Sequence, residues 1–276
     1  MRKIGVNTNN ESGNSDAEII ENIAKAGFET VMLSYKAKNL DQSVLEIRDS
    51  QLDIAYFHIG GKDPNNLWAR GDAVEDYLRH VASQIAWCGA QRIPIAVLHA
   101  AVGSPLTRVI KPNKQGVKNL KTLLRVAKEH HVKLAVENID CYSLKHVCYL
   151  LNHVKDDNLG FCYDVGHHYL YNPKRNLIKK YGKRLFAVHL HDNFMDYEKG
   201  YDQTRDLHLL PFDGKIDFDK VCKRLNKVGY QGAVMLEIHK IACGKPQLYE
   251  NEDNLSYLKK AFDRAQKIDE KIKNSD

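Results

Sequence analysis

Five apolar stretches of this chain end on side chains that can hold a cation. LGFCYDVGHH, at 159–168, runs into Asp164 with His167 three positions later; IPIAVLH ends on His99 and VKLAVEN carries Glu137. LFAVHLHD holds His189 and His191, and GAVMLEIH carries Glu237. Gathering such groups at the ends of apolar runs costs free energy unless a metal or a polar ligand satisfies them. Glu137, Asp164, His189 and Glu237 form a mixed nitrogen and oxygen donor set suited to Mn²⁺ or Zn²⁺ first, with Co²⁺ or Mg²⁺ as alternatives. One strand-end carboxylate is readily explained as a cap or a salt-bridge partner; a repeat on four strands is not.

Further donors surround that set. Asp206 and His208 alternate in RDLH and can face one metal if their loop folds back, with His167 joining them. His58 and His99 flank the site from the third and fourth strands. Of the pair His189 and His191, His189 is favoured as a ligand because it lies deeper in its run. A strand running out into a turn is expected to set His167 beside Asp164. Trp68, with Phe194, is a candidate wall for a substrate's sugar face, with ordinary packing as the commoner use of isolated aromatics. His80, His130, His131, His146 and His153 fall on helical patterns and read as surface or satisfied core histidines.

The elements that must position these residues alternate regularly. Hydrophobic periodicity and turn signals predict strands at 3–7, 30–34, 53–58, 93–99, 132–137, 159–163, 185–190 and 233–237. They predict helices at 16–26, 41–51, 73–88, 114–129, 143–153, 175–181, 218–228 and 254–271, with Ser15 or Asp16 as a cap and Gly27 and Gly89 as stops. Eight βα units with strands too continuous for a solvent face predict an α/β fold, a single (β/α)₈ TIM barrel. An open doubly wound sheet is the competitor, but the first strand lacks GxGxxG and polar residues recur at six or more strand ends. The domain is expected to span 1–276, with long loops on one rim near 59–72, 100–113, 191–216 and 239–253.

Composition narrows the partners. The 276 residues, 43% hydrophobic, suffice for a full core. The six cysteines form no CxxC, and Cys88, Cys148 and Cys222 fall in helical patterns, so reduced thiols and a cytoplasmic location are expected. No apolar run is long enough to span a membrane. The net charge of +6 is modest and disfavours a dedicated nucleic-acid binder without excluding one. It suits an anionic small substrate such as a sugar phosphate; Lys62, Arg70, Arg108 and Lys111 in the rim loops are either phosphate contacts or part of a solvated surface. A homo-oligomer is compatible with the sequence.

LAVEN, FCYDVGHH, LFAVHLHDN, DLHLLPFDGKIDF and VMLEIH together resemble the xylose-isomerase-like TIM-barrel superfamily, from about residue 4 to 262. That superfamily includes sugar phosphate isomerases and epimerases, inosose dehydratases and type-four apurinic endonucleases. The epimerase resemblance implies one divalent ion on Glu137, Asp164, His189 and Glu237. Glu137 and Glu237 would double as acid/base groups, and His167, His58 and His99 would contact substrate. HLLPFDGKIDF departs from the H-x-P-G-x-G-x-I-D stretch of that branch, because Phe212-Asp213 stands where a glycine and its neighbour are usual.

The endonuclease resemblance implies three zinc ions. His58, His99 and Glu137 would hold one; Glu137, Asp164, His189 and Glu237 the second; His167, Asp206 and His208 the third. Its rim loops differ, since Ile-Gly-Gly follows His58 and Ala-Ala-Val-Gly follows His99. The expected activity is therefore metal-dependent isomerisation or epimerisation of a sugar or sugar phosphate by proton abstraction through an enediolate. Phosphodiester hydrolysis, polyol dehydration and a non-catalytic ligand-binding barrel are the alternatives.

Overall fold

Strands buried on both faces need cover inside and out, and a ring of parallel strands wrapped in helices supplies both. The computed structural model, which describes residues 2–103, 109–194, 206–241 and 248–275, has that arrangement. Its strands are β1 (Ile4–Asn7), β2 (Thr30–Ser34), β3 (Asp53–His58), β4 (Ile95–His99), β5 (Lys133–Glu137), β6 (Leu159–Asp164), β7 (Leu185–His189) and β8 (Val234–Leu236). The helices are α1 (Asp16–Ala26), α2 (Leu40–Asp49), α3 (Asp72–Ala90), α4 (Lys114–Glu129), α5 (Leu144–His153), α6 (Val165–Tyr171), α7 (Leu177–Tyr181), α8 (Phe218–Lys227) and α9 (Asn254–Asn274). Short 3₁₀ turns lie at Pro64–Trp68 and Gly182–Arg184.

The strand order is β7-β6-β5-β4-β3-β2-β1-β8, and every pairing between named strands is parallel. Leu190, one residue beyond β7, closes the seam. Its N–H donates to Met235 O at 3.0 Å and its carbonyl accepts from Glu237 N at 3.2 Å. The ring is thus a nearly closed (β/α)₈ barrel.

Two differences from expectation concern helices. Gly89 does not end α3; it lies inside the helix, and a Cβ there would stand 2.6 Å from His130 O, so it permits close approach to the segment after α4. A ninth helix, α6, follows β6 directly where a turn was expected. Asp164 caps it by accepting from His167 N at 2.7 Å, which joins the last residue of the strand to a new helix without an intervening loop.

The outer core packs helices on strands through residues such as Ile23, Ile47, Ile85, Leu123, Leu150, Leu225 and Ile268. A second apolar cluster fills the barrel: Met32, Tyr56, Val97, Ala135, Cys162, Ala187, Ala233 and Met235. Among the described residues, no helix is long and apolar enough to cross a membrane. Cys88, Cys141, Cys148, Cys162 and Cys222 are free thiols; Cys243 lies outside the described residues.

Candidate metal centre

Side chains two apart on a strand share a face, so the barrel filling fixes what lies one step above it. Tyr56, Val97, Ala135, Cys162, Ala187 and Met235 point inward. Two residues further along the same strands come His58, His99, Glu137, Asp164, His189 and Glu237. The remaining strands contribute Asn7 and Ser34 at the same height, so all eight strands present a polar residue there, at the carboxyl end where TIM barrels place their chemistry.

Glu137 is the hub. Its Oε2 lies 3.1 Å from His58 Nε2 and 3.3 Å from His99 Nε2, and its Oε1 lies 3.3 Å from His167 Nδ1 and 3.4 Å from His189 Nδ1. Burial alone would raise this carboxyl, but the His189, His167 and His58 imidazoles hold it well below the usual carboxylate range. His58 Nδ1 is 3.1 Å from Ile59 O, which can only accept, so Nδ1 carries a proton.

His189 is fully buried among Glu137, Asp164 and Glu237, with Nδ1 3.0 Å from Glu237 Oε2 and 3.8 Å from Asp164 Oδ2. Both its ring nitrogens, and Glu237 Oε2, are buried without a hydrogen bond of acceptable geometry. Such atoms are costly to bury unsatisfied, and a coordinated cation satisfies them. Cys162 lies against the same ring: Glu137, Cys162 and His189 offer donor atoms within 4.8 Å of one another. Burial pushes the Cys162 thiol up to about 12, although His189 pulls against it.

A third group forms where β7 runs out. Asp206 Oδ2 is 2.8 Å from His167 Nε2 and 3.2 Å from His208 Nε2, and the His208 ring stacks on His191 at 3.8 Å and 8°. His191 Nε2 reaches Asp164 at 3.1 Å, tying this group to the second. Gly166 makes room for it, because a Cβ there would fall 1.9 Å from His191 Cε1. Burial opposes charge on His208, but Asp206 beside it lifts the imidazole to about 9, and Asp206 is itself held well below its ordinary range by His208 and His167.

The segment carrying Asp206 and His208 is held in place by Asp192 and Asn193. Asp192 accepts from Asn193 N (2.8 Å), Phe212 N (3.0 Å) and Ile216 N (3.0 Å), while Asn193 accepts from Leu207 N at 2.6 Å and donates to Asp206 Oδ1 at 3.2 Å. Phe212 has φ +74, a left-handed backbone that is uncommon for an aromatic residue. Its ring packs on Phe218 at 5.0 Å and lies under Lys267 at 4.6 Å, contacts that offset the strain.

The structure therefore brings together all nine residues singled out as ligands: His58, His99 and Glu137; Glu137, Asp164, His189 and Glu237; and His167, Asp206 and His208. His191, passed over in favour of His189 although the alternation in HLHD puts both on one side, joins the last group. Sequence reasoning missed Cys162 and Asp192.

Trp68 is not brought to the cluster. Its ring is buried against His146 and Gly116, and its Nε1 donates to Ala100 O at 2.6 Å, because Pro64–Trp68 folds as a 3₁₀ turn tucked onto α4. Phe194 is exposed. Lys62 pairs with Asp76 at 2.7 Å, Arg70 and Lys111 are exposed, and Arg108 lies outside the described residues. His146 is a satisfied core histidine, bonded to Ile110 O and Ser143 O.

The profile of the xylose isomerase-like TIM barrel family matches residues 20–261. The chain belongs to that family. The uncharacterized protein y4fM of Sinorhizobium fredii is 36% identical over 115 residues, which cover 40% of this chain and only 34% of that relative's length. Among solved structures, an L-ribulose 3-epimerase superposes with a TM-score of 0.70 at 17% identity over 98% of this chain and 97% of its own. A D-allulose 3-epimerase from Methylomonas sp., solved with D-allulose, gives 0.74 at 14% identity over 96% of each chain. At these identities the structural likeness is one of fold.

Proposed function

We propose that this protein is a divalent-metal-dependent isomerase or epimerase acting on a sugar or sugar phosphate. The observation that carries the reading is the pair of buried glutamates, Glu137 and Glu237, set on either hand of His189 Nδ1 at 3.4 and 3.0 Å. With Asp164 they complete a four-donor group whose atoms lie within 4.8 Å of one another. Nitrogen and carboxylate donors in this proportion fit Zn²⁺, Mn²⁺ or Co²⁺. A bound ion would polarise a substrate carbonyl and acidify the neighbouring C–H.

The chain's own residues then move the proton. One glutamate oxygen accepts it to leave an enediolate, and the second glutamate, or the same one, returns it. Return from the opposite face inverts the stereocentre; return to the adjacent carbon shifts the carbonyl. The imidazoles keep Glu137 and Glu237 ionised, which leaves each able to accept a proton and at the same time makes each a weaker base than a free carboxylate. His167, His58 and His99 line the rim as donors to substrate oxygens.

A second reading has its own support. Glu137 is shared with His58 and His99, and His167, His191, Asp206 and His208 form another group, an inventory larger than a one-ion isomerase uses. It suits hydrolysis of a phosphodiester across several ions. The test is incubation with a panel of ketoses, aldoses and their phosphates in D₂O, read by NMR. Deuterium at the carbon beside the carbonyl, lost in both Glu137→Gln and Glu237→Gln, supports the isomerase. No exchange on any sugar, with cleavage of abasic-site DNA, replaces it with the hydrolase.

A further inference from the structure

The opposite end of the barrel carries a feature the proposed chemistry does not use. Between α5, α7 and α8 lies a trough of about 790 Å³. Lys155 follows α5, Lys179 and Lys180 stand on α7, and Lys183 and Arg184 form the 3₁₀ turn before β7. Arg224 and Lys227 come from α8. These positions precede β6, β7 and β8, so the trough opens on the amino-terminal face, away from the metal ligands.

Seven of the thirteen residues lining it are cationic and none is acidic. Seven exceeds the net charge of +6, so this one trough accounts for the whole excess of the protein. Beside the trough, Asp156 pairs with Lys128 at 3.0 Å, and Asp156 and Asp157 act electrostatically on Arg184. Arg184 is fixed by bonds to Leu151 O (2.7 Å) and Leu159 O (2.7 and 3.0 Å), so its charge stays beside the trough. Buried Leu151, Ile178 and Tyr181 give it an apolar floor.

Like charges so crowded repel one another, and a singly charged ligand would leave most of that repulsion in place. We infer that the trough binds a phosphate-rich anion of about the size of a nucleoside triphosphate, the phosphates among the lysines and the nucleoside against the apolar floor. The volume lies in the range of small-molecule sites, roughly 300–1,000 Å³. Lysine suits it, as a mobile point charge that follows a phosphate chain. The inference is independent of the reaction assigned to the rim.

The test is calorimetric titration of the metal-loaded protein with ATP, and separately with a short single-stranded DNA, at low salt. The wild type is compared with the triple variant Lys179→Glu, Lys183→Glu, Lys227→Glu, whose three sites are exposed, and with the corresponding triple alanine variant. Saturable one-to-one ATP binding, weakened at least about ten-fold by reversal and less by alanine, is expected, with metal content unchanged. Equal ATP affinity in all three proteins would place the anion at the metal rim and overturn the assignment. So would the absence of saturable ATP binding, or binding of the DNA alone.

Discussion

Two layers inside one barrel, a single pleat apart, behave in opposite ways. In the lower layer Tyr56 and Tyr230 bond to each other at 3.0 Å, Tyr230 reaches Ala233 O at 2.9 Å, and Met32, Val97, Ala135, Ala187 and Met235 fill the rest. In the upper layer His189, His167, His191 and Glu237 keep buried atoms without hydrogen bonds. The same strands thus give a satisfied plug and, one step above it, a less fully buried ring that keeps unsatisfied atoms. So many orphaned atoms gathered in one ring are expected where a ligand completes them, so stability is expected to reside in the plug and chemistry in the ring.

Substitutions separate the two layers. Glu137→Gln should lower turnover by about a thousand-fold or more, within the usual range for losing a general base, while leaving the midpoint of urea unfolding of the metal-free protein nearly unchanged. Retention of wild-type rate on every accepted substrate would contradict its role. Met235→Ala, in the plug, should do the reverse: destabilise by about 2–5 kcal/mol in denaturant unfolding, with rate per folded molecule preserved. If that variant instead loses metal with no loss of stability, the division between layers is wrong.

Removing metal with a chelator should lower the thermal midpoint, because a ligand present at about 1,000 times its Kd stabilises by about 4 kcal/mol. A midpoint indifferent to chelation and to added Zn²⁺ or Mn²⁺ would leave the orphaned imidazoles unexplained. Cys162 bridges the layers, and its thiol stands behind the His189 ring. Cys162→Ala should weaken metal binding about 10-fold, measured by competition with a fluorescent chelator, and Cys162→Ser should restore much of it. The smallest effect belongs to Tyr56→Phe, about 1 kcal/mol of stability with no change in metal content.

Much of this was legible in the sequence because it follows from short-range patterns. Strands 30–34 and 53–58 and helices 16–26 and 114–129 were bounded to the residue, since their caps and periodicity are local. The candidate donor set was legible because a strand repeats every two residues: a carboxylate or imidazole closing an inward-facing run must join the ring above the plug. What escaped depends on contacts between distant segments. Nothing local says that His191 will stack on His208, that Gly89 serves His130 rather than ending its helix, or that Asp192 will gather the backbone at Phe212 and Ile216. Trp68 was read for its chemistry, whereas its indole N–H and its packing against Gly116 commit it to the core.

The most direct measurement of the central claim is anomalous scattering, tuned to the Zn and Mn edges, from crystals of protein purified without chelator. A peak among Glu137, Asp164, His189 and Glu237 is the predicted result. Further peaks at His58 with His99 and at His167 with Asp206 and His208 would move the reaction toward phosphodiester hydrolysis. Crystals with no peak at the carboxyl end of the barrel, even after soaking in both metals, would contradict the account.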